Sequence, residues 1–344
     1  MRLISTTGGS ALYECPHDGP ARVLLCSTDP SRRLLTDPAV SGHRYRLLVR
    51  SAVAEALTAW RGDAAGERWL GSGQPSVVTI LRGGLSFGLE EAVVVAGGAD
   101  ADVSFVGTER AVGEGVRTTY ERWEFGAGPA FVGDILATGG TLRAVLSRLR
   151  DAATRRGVRP AAVVLVVIGS AAGVDAVQRF VADWDAADRP DVTMIALEAL
   201  YDVPASGTVA PFARHPFDLL RTVVGSTPEY ESARLSSVDS LFERCAVYDG
   251  GVRAFTPSAH ADERAGWWAG VLRRKVPLAV LGAHTAGLAD YRLAPEQWRR
   301  RLRWSGQSGV DLDLVYELGR RALRYAETTA TADHVHDRLA EGTP

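Results

Sequence analysis

The sequence predicts an α/β protein built around a doubly wound, mostly parallel β-sheet, followed by a helical region. Between residues 77 and 197, five short apolar segments of strand length alternate with segments of helical periodicity. One of them, residues 161–168, is apolar throughout, which is typical of a central parallel strand covered on both faces. Two of the strands lead into glycine-rich turns, and such sheets bind ligands at the carboxyl ends of their strands.

The individual elements follow from spacing and turn residues. Before the sheet, apolar side chains recur every three or four residues from 37 to 60, which predicts an amphipathic helix. A glycine- and proline-rich loop separates that helix from the first strand. The predicted strands are residues 77–81, 102–107, 130–132, 161–168 and 192–197, and helices are expected to begin near Phe87, Leu142 and Gly173.

We divide the 344 residues into an N-terminal extension (1–34), an α/β core (35–200) and a mostly helical accessory region (201–344). The net charge of −2 argues against broad nucleic-acid binding. The three cysteines and seven histidines show no spacing typical of metal or redox sites. Without a leader-type N-terminus or a long apolar run, we expect a cytoplasmic protein with neither membrane nor nucleic-acid partners.

The chain is organised around one segment in which a strand is followed by a small-residue loop and the start of a helix. Asp134 ends the strand, and the loop contains Thr138, Gly139, Gly140 and Thr141. Backbone N–H groups, hydroxyls and the positive end of a helix dipole meet in such a loop, which predicts a phosphate site. Because a carboxylate repels phosphate, Asp134 is better explained as a partner of nearby sugar hydroxyls, directly or through a metal ion.

A Gly-Gly turn alone is as often structural as functional, but the ordered set of acid, hydroxyls and glycines is more specific. This set resembles the signature of the type I phosphoribosyltransferases, which bind 5-phosphoribosyl 1-diphosphate (PRPP). Residues 135–140 look most like the uracil phosphoribosyltransferase branch, and the resemblance covers about residues 35–200. Many relatives carry two adjacent acids at the positions that match residues 133 and 134, but residue 133 is a glycine here. In the uracil branch the single acid stands at the first of these two positions. The usual metal arrangement therefore does not carry over directly.

A second anion site is predicted after the first strand. Arg82, Gly83 and Gly84 follow it, and a basic side chain with two glycines at the carboxyl end of a strand forms an anion-binding concavity. A tight turn with a solvated arginine is the alternative. Residues 80–85 also resemble the pyrophosphate loop of the uracil branch. Two anion sites in one sheet match a substrate with a phosphate at one end and a diphosphate at the other.

Residues 108–127 lack a clear period and carry three arginines among acids and glycines. They are expected to form either a solvated surface hairpin or a mobile flap that closes arginines over the diphosphate. The segment from Val106 to Arg110 is similar to the start of the flap in uracil phosphoribosyltransferases, where the matching arginine contacts PRPP. Arg110 is therefore our first candidate for the arginine that contacts PRPP, ahead of Arg117 and Arg122.

The region after residue 200 departs from the family. Uracil phosphoribosyltransferases end with a glycine-rich segment that reads the pyrimidine through backbone groups, and we find no such segment here. Tyr201, Trp267 and Trp268 are candidates to stack on an acceptor, although such tryptophans are more often core or interface residues than a stacking platform. Apolar spacing from Leu312 to Leu323 indicates a packed terminal helix, which we expect at a homodimer contact. A different pocket lining implies that uracil is not the preferred acceptor.

The resemblance implies a phosphoribosyltransferase that moves the 5-phosphoribosyl group of PRPP to a heterocyclic, nucleobase-like acceptor and releases diphosphate. Mg²⁺ is expected to arrive with PRPP, and Asp134 is the one candidate for a protein ligand. The alternatives are a PRPP- or nucleotide-sensing regulator of the same fold, or a specialised enzyme that makes or breaks a ribosyl bond. Asp134, Arg82 and Arg110 are expected to act in catalysis. The expected PRPP-binding set is Leu81, Arg82, Gly83, Gly84, Arg110, Gly133, Asp134, Ala137, Thr138, Gly139, Gly140 and Thr141.

Overall fold

A ten-stranded mixed sheet forms the centre of the protein, with helices on both faces and a further helical group after the last long strand. The structure is a computed structural model and describes residues 1–81, 83–111, 115–203, 222–285, 287–302, 304, 309–328 and 332–341. For residues 110, 111, 222–224, 284, 285 and 341 it describes the backbone alone.

The ten strands are between 5 and 11 residues long. They are β1 (Arg2–Thr7), β2 (Ser10–Glu14), β3 (Arg22–Ser27), β4 (Ser76–Leu81), β5 (Asp102–Ala111), β6 (Gly115–Arg122), β7 (Pro129–Leu136), β8 (Ala162–Ser170), β9 (Asp191–Tyr201) and β10 (Thr222–Ser226).

The strand order is β1-β2-β3-β9-β8-β7-β4-β5-β6, and β10 pairs with the end of β9. The six strands from β3 to β5 are parallel, whereas β1, β2, β6 and β10 pair in the antiparallel sense. Val132 of β7 lies between Val78 of β4 and Leu165 of β8. Every residue of β8 is buried, as expected for a central parallel strand.

Thirteen α-helices are described. They are α1 (Asp29–Thr36), α2 (Gly42–Arg61), α3 (Ala64–Leu70), α4 (Leu89–Val95), α5 (Gly140–Arg156), α6 (Ala171–Ala182), α7 (Pro228–Ser236), α8 (Gly250–Phe255), α9 (Pro257–Arg273), α10 (Leu278–Thr285), α11 (Pro295–Leu302), α12 (Leu312–Thr328) and α13 (Asp333–Glu341). Short 3₁₀ turns include Gly83–Ser86, directly after β4.

Two hydrophobic layers cover the sheet. On one face α1, α2, α3, α4 and α8 pack against alternate strand residues such as Phe131. On the other face α5 and α6 pack against their neighbours in the strands, such as Val132. A third cluster, formed by the helices after β10, contains Trp267, Trp268 and Trp298. The chain therefore has the α/β core and the helical region that the sequence predicted.

A buried carboxylate joins the first helix to the helical region. Glu198 of β9 is fully buried and has a left-handed backbone (φ 64°) where the pairing with β8 shifts register. The Thr28 N–H (2.9 Å) and the Thr227 hydroxyl (2.7 Å) donate to its side chain, and both residues are helix N-caps. The Ser31 hydroxyl also donates to it. Burial raises the pKa of Glu198 to about 7.

All five predicted strands are present, each within a few residues of the predicted limits. The first 34 residues differ from expectation, because β1, β2 and β3 extend the central sheet beside β9 instead of forming a separate extension. The region after residue 200 also contributes one strand, β10, which pairs with β9 of that sheet. None of the described helices has the length and apolar character needed to cross a lipid bilayer.

Candidate functional site

The predicted phosphate loop lies at the carboxyl end of β7 and leads into α5. Gly139 precedes the helix with a left-handed backbone (φ 80°), and a Cβ there would lie 2.8 Å from the Ala176 Cβ. The Ser170 hydroxyl donates to the carbonyl of Ala137 and accepts the N–H of Gly173 at 2.9 Å. The first turn of α6 thus holds the loop, while Thr138 is exposed to solvent.

Asp134 lies beside the second predicted anion loop. Its side chain is buried near the end of β7. A Cβ built on Gly83 would lie 2.9 Å from Oδ1 of Asp134, so the turn after β4 and this carboxylate are in close contact. Leu81 is half-buried at the end of β4. Arg82, predicted to bind the diphosphate, lies outside the described residues.

Steric crowding favours glycine at position 133. A Cβ at this position would lie 2.8 Å from the ring of Phe87, which is fully buried. Gly84 has a similar constraint, because its Cβ would lie 3.0 Å from the carbonyl oxygen of Gly133. A second carboxylate next to Asp134 therefore has no space in this packing.

Within the predicted flap, residues 108–111 belong to β5 and residues 115–122 form β6, and the two strands pair in the antiparallel sense. In β5 the backbone of Arg110 pairs with Val116 of β6; the Arg110 side chain and residues 112–114 lie outside the described set. Arg117 forms an exposed ion pair with Glu109 (3.2 Å), and Arg122 lies 3.6 Å from Glu124.

The hairpin approaches the phosphate loop through β6. The Cγ2 atom of Val116 would lie 3.4 Å from a Cβ on Gly140, the first residue of α5. Glu121 of the hairpin lies 3.1 Å from Arg148 and 3.6 Å from Arg155, both on α5. The structure thus brings β6, a part of the predicted flap, against the helix that begins at the predicted phosphate loop.

The three acceptor candidates are packed inside the protein. Tyr201 is buried at the end of β9, with its ring edge-on to Tyr230 (6.2 Å between centroids). Trp267 and Trp268 belong to the core of the C-terminal helices, and Trp268 Nε1 donates to Glu243 (2.9 Å). All three side chains are buried, and the two tryptophans lie in the hydrophobic cluster of the helices after β10.

A segment that sequence reasoning missed lies at the site instead. Gly250, at the start of α8, packs on Ile135, the residue after Asp134; a Cβ on Gly250 would lie 2.7 Å from Ile135 Cγ1. Around Gly251 a Cβ would meet nothing within 4 Å. The region after residue 200 therefore places a glycine pair beside the end of β7, next to Asp134 in the chain. The motif Asp249-Gly250-Gly251 was the available signal in the sequence.

Comparisons with known proteins give partial structural likeness. The sequence matches no family model and no curated protein. A purine phosphoribosyltransferase from Pyrococcus horikoshii Ot3 is similar over 44% of this chain and 87% of its own (14% identity, TM-score 0.28). The hypoxanthine-guanine phosphoribosyltransferase of L. donovani is similar over 45% of this chain and 82% of its own (17% identity, TM-score 0.29). A Staphylococcus aureus hypoxanthine phosphoribosyltransferase is similar over 52% of this chain and 89% of its own (14% identity, TM-score 0.30).

None of these three is described as a uracil enzyme, so the uracil branch suggested by the motif receives no specific support. At these identities and TM-scores, the substrates and activities of those enzymes do not transfer to the present chain.

Proposed function

We propose that the protein is a phosphoribosyltransferase that moves the 5-phosphoribosyl group of PRPP to a heterocyclic acceptor. The observation that carries the proposal is the convergence of two glycine loops on one buried carboxylate. The turn from Gly83 lies against Asp134, and the loop from Ala137 to Thr141 follows it at the start of a 17-residue helix. This geometry suits a ligand with a sugar between two anionic ends.

The chemistry needs positioning more than covalent catalysis. Breaking the C1–O bond leaves positive charge on the ribose ring and negative charge on the departing diphosphate. Asp134 would hold the ribose hydroxyls and lie close to the developing cation, while backbone N–H groups near Gly83 would stabilise the diphosphate. Arg82 and Arg110 are proposed to complete the diphosphate site.

Mg²⁺ is proposed to enter with PRPP. Among the described residues, no group of three or more His, Cys, Asp or Glu side chains could hold a metal ion. A single carboxylate, Asp134, fits a Mg²⁺ bound mainly by diphosphate oxygens, since Mg²⁺ commonly takes one or two carboxylates together with substrate phosphates. The ion would neutralise charge on the leaving diphosphate.

A thermal-shift series tests ligand binding. PRPP at millimolar concentration should raise the melting temperature by several degrees, because a ligand that binds only the folded state stabilises it. Ribose 5-phosphate and diphosphate should each give a smaller shift. No shift with any of the three, with and without Mg²⁺, would contradict both the enzyme and the sensor.

Diphosphate release across a panel of purines, pyrimidines and azoles tests turnover. Release with at least one heterocycle supports the enzyme, and PRPP binding without release with any heterocycle supports the sensing alternative. We expect diphosphate release to be faster with another acceptor than with uracil. A tenfold preference for uracil would contradict that expectation while leaving the transferase proposal intact.

A further inference from the structure

A cavity that takes no part in the candidate site lies at the amino ends of the central strands. Its walls come from the second half of α5, the start of β8 and the chain between α6 and β9, and its volume is about 240 Å³. Thr154 on its wall lies roughly 20 Å along α5 from Gly140 in the predicted phosphate loop. Since an apolar cavity of about 150 Å³ already holds benzene, this volume suits a ligand with one ring.

The buried side chains that line the cavity are apolar, and we call them its floor. They are Leu149, Ala153, Pro160, Val163 and Trp184. Trp184 is 8% exposed, and its Nε1–H is buried without a hydrogen-bond acceptor in the part of the chain that the structure describes. An unpaired donor in an apolar wall is unfavourable, so the floor lacks an acceptor that a ligand oxygen could supply.

One arginine at the cavity has no counter-charge. The guanidinium of Arg150 lies over the rings of Phe180 (5.6 Å to the centroid) and Trp184 (5.9 Å), and no described carboxylate pairs with it. A ring face attracts the positive charge but is not a strong acceptor for the five N–H groups of a guanidinium. Arg150 can therefore still bind a carboxylate, with which its planar group forms paired hydrogen bonds.

The three aspartates at the cavity already have partners. Asp188 forms an ion pair with Arg159, Asp185 accepts the N–H of Ala187 at 3.2 Å, and Asp151 lies 3.9 Å from Arg148. Each carboxylate thus has a donor or a cation of the protein beside it, whereas Arg150 and the Trp184 N–H lack an acceptor. These unmet interactions favour a ligand that carries acceptor oxygens over one that carries a positive charge.

We propose that this cavity is a second ligand site, which binds a small carboxylic acid with one apolar ring. The ring lies on the apolar floor, and the carboxylate pairs with Arg150 near the Trp184 N–H. Because the cavity and the predicted phosphate loop lie at opposite edges of the sheet, the proposed ligand is neither PRPP nor its acceptor. The inference therefore does not depend on PRPP binding or on transferase activity.

The test is an NMR titration of protein labelled with ¹⁵N at its eight tryptophans. Trp184→Phe assigns the Trp184 indole resonance by its loss from the spectrum. Benzoate, benzamide and benzylamine serve as probes, because they share one ring and differ in charge. Benzoate should shift the Trp184 resonance and saturate at millimolar concentration, benzamide should bind more weakly, and benzylamine should give no shift.

Arg150→Met should weaken benzoate binding at least about tenfold, because it removes the charge, and should affect benzamide less. Its melting temperature should stay at the wild-type value, since the Arg150 side chain is exposed. Arg324→Met, on the exposed side of α12, is the matched control and should bind benzoate like the wild type.

An unshifted Trp184 resonance with benzoate would overturn the proposal. Equal benzoate affinity in Arg150→Met and wild type, or tighter binding of benzylamine than of benzoate, would also overturn it. Shifts spread evenly over the eight indole resonances would do the same, since they indicate non-specific association.

Discussion

At the scale of single residues, close contacts decide which side chains the site can hold. Phe87 occupies the space that a side chain on residue 133 would need, and its ring is fully buried between α4 and the sheet. The end of β7 therefore has room for one acidic side chain, that of Asp134, and none at the preceding residue.

The first prediction concerns this contact. Gly133→Ala should lower the free energy of unfolding by about 1–3 kcal/mol, the usual cost of overpacking a core. Gly126→Ala is the control, because a Cβ there meets nothing within 4 Å. Urea unfolding of both variants measures the difference. Equal stability of the two variants would show that the Phe87 ring can move aside.

The second prediction concerns the carboxylate. Asp134→Asn keeps the size of the side chain but removes its charge, so turnover should fall on the order of a hundredfold. The melting temperature should change by only a few degrees. Asp151→Asn, on the surface of α5, is the control. If Asp134→Asn unfolds at room temperature, its role is structural and the assignment is wrong.

The sequence predicted the strand and the helix start on either side of the loop after Asp134, and it missed the contacts between residues far apart in the chain. Residues from Asp134 to Thr141 are neighbours in the chain, so their order alone indicates the loop. The contact of Phe87 with Gly133 and that of Ile135 with Gly250 join residues far apart in the chain, and their spacing carries no signal. Burial of Trp267 and Trp268 matches the core role that the sequence favoured over a stacking platform.

At the scale of elements, the hairpin of β5 and β6 is tied to α5 by charge. Glu121 lies near two arginines of that helix, and its side chain is about one quarter exposed. Partly exposed ion pairs contribute little to stability, on the order of 1 kcal/mol or less. Here they connect the end of β6 to the middle and the C-terminal end of α5.

The third prediction follows from this contact. Glu121→Ala should raise the KM for PRPP several-fold, because the hairpin is held less firmly over the phosphate loop, and should change the melting temperature little. Glu327→Ala, which removes a surface ion pair with Arg292 (2.8 Å) in the C-terminal helices, is the control. An unchanged PRPP KM in Glu121→Ala would mean that the hairpin takes no part in binding.

Elements of the parallel core were predictable because their apolar runs are long and separated by turns. The three N-terminal strands were not, since β1 and β2 are short, antiparallel and partly polar. Their place in the sheet depends on β3 pairing with a strand far along the chain, which local patterns do not reveal.

At the scale of the whole molecule, Glu198 joins three parts of the chain: β9, the start of α1 and the start of α7. Its folded-state pKa of about 7 exceeds the usual value of 4.5, so the protonated form is favoured by the fold. Its contribution to stability is complete below about pH 4.5 and is lost as the pH rises through about 7.

The fourth prediction compares wild type with Glu198→Gln across pH. Glutamine cannot ionise, so the variant should gain stability relative to wild type between pH 5 and 7, by at most about 1.4 kcal/mol per pH unit. Above pH 8 the difference should be constant. Glu67→Gln, on the exposed side of α3, should show no such trend. Parallel pH profiles for wild type and Glu198→Gln would contradict the assignment.

The pairing of β3 with β9 also bears on how the chain folds during synthesis. Thr28, just after β3, and Glu198 of β9 are 170 positions apart. At about 5–20 residues per second, roughly 10–30 s pass between the synthesis of one strand and that of its partner. Throughout that interval the apolar strand β3 has only β2 beside it, and its other edge is open to pairing with neighbouring nascent chains. Yield of active protein should therefore depend on translation rate and on chaperones that shield the N-terminal hairpin.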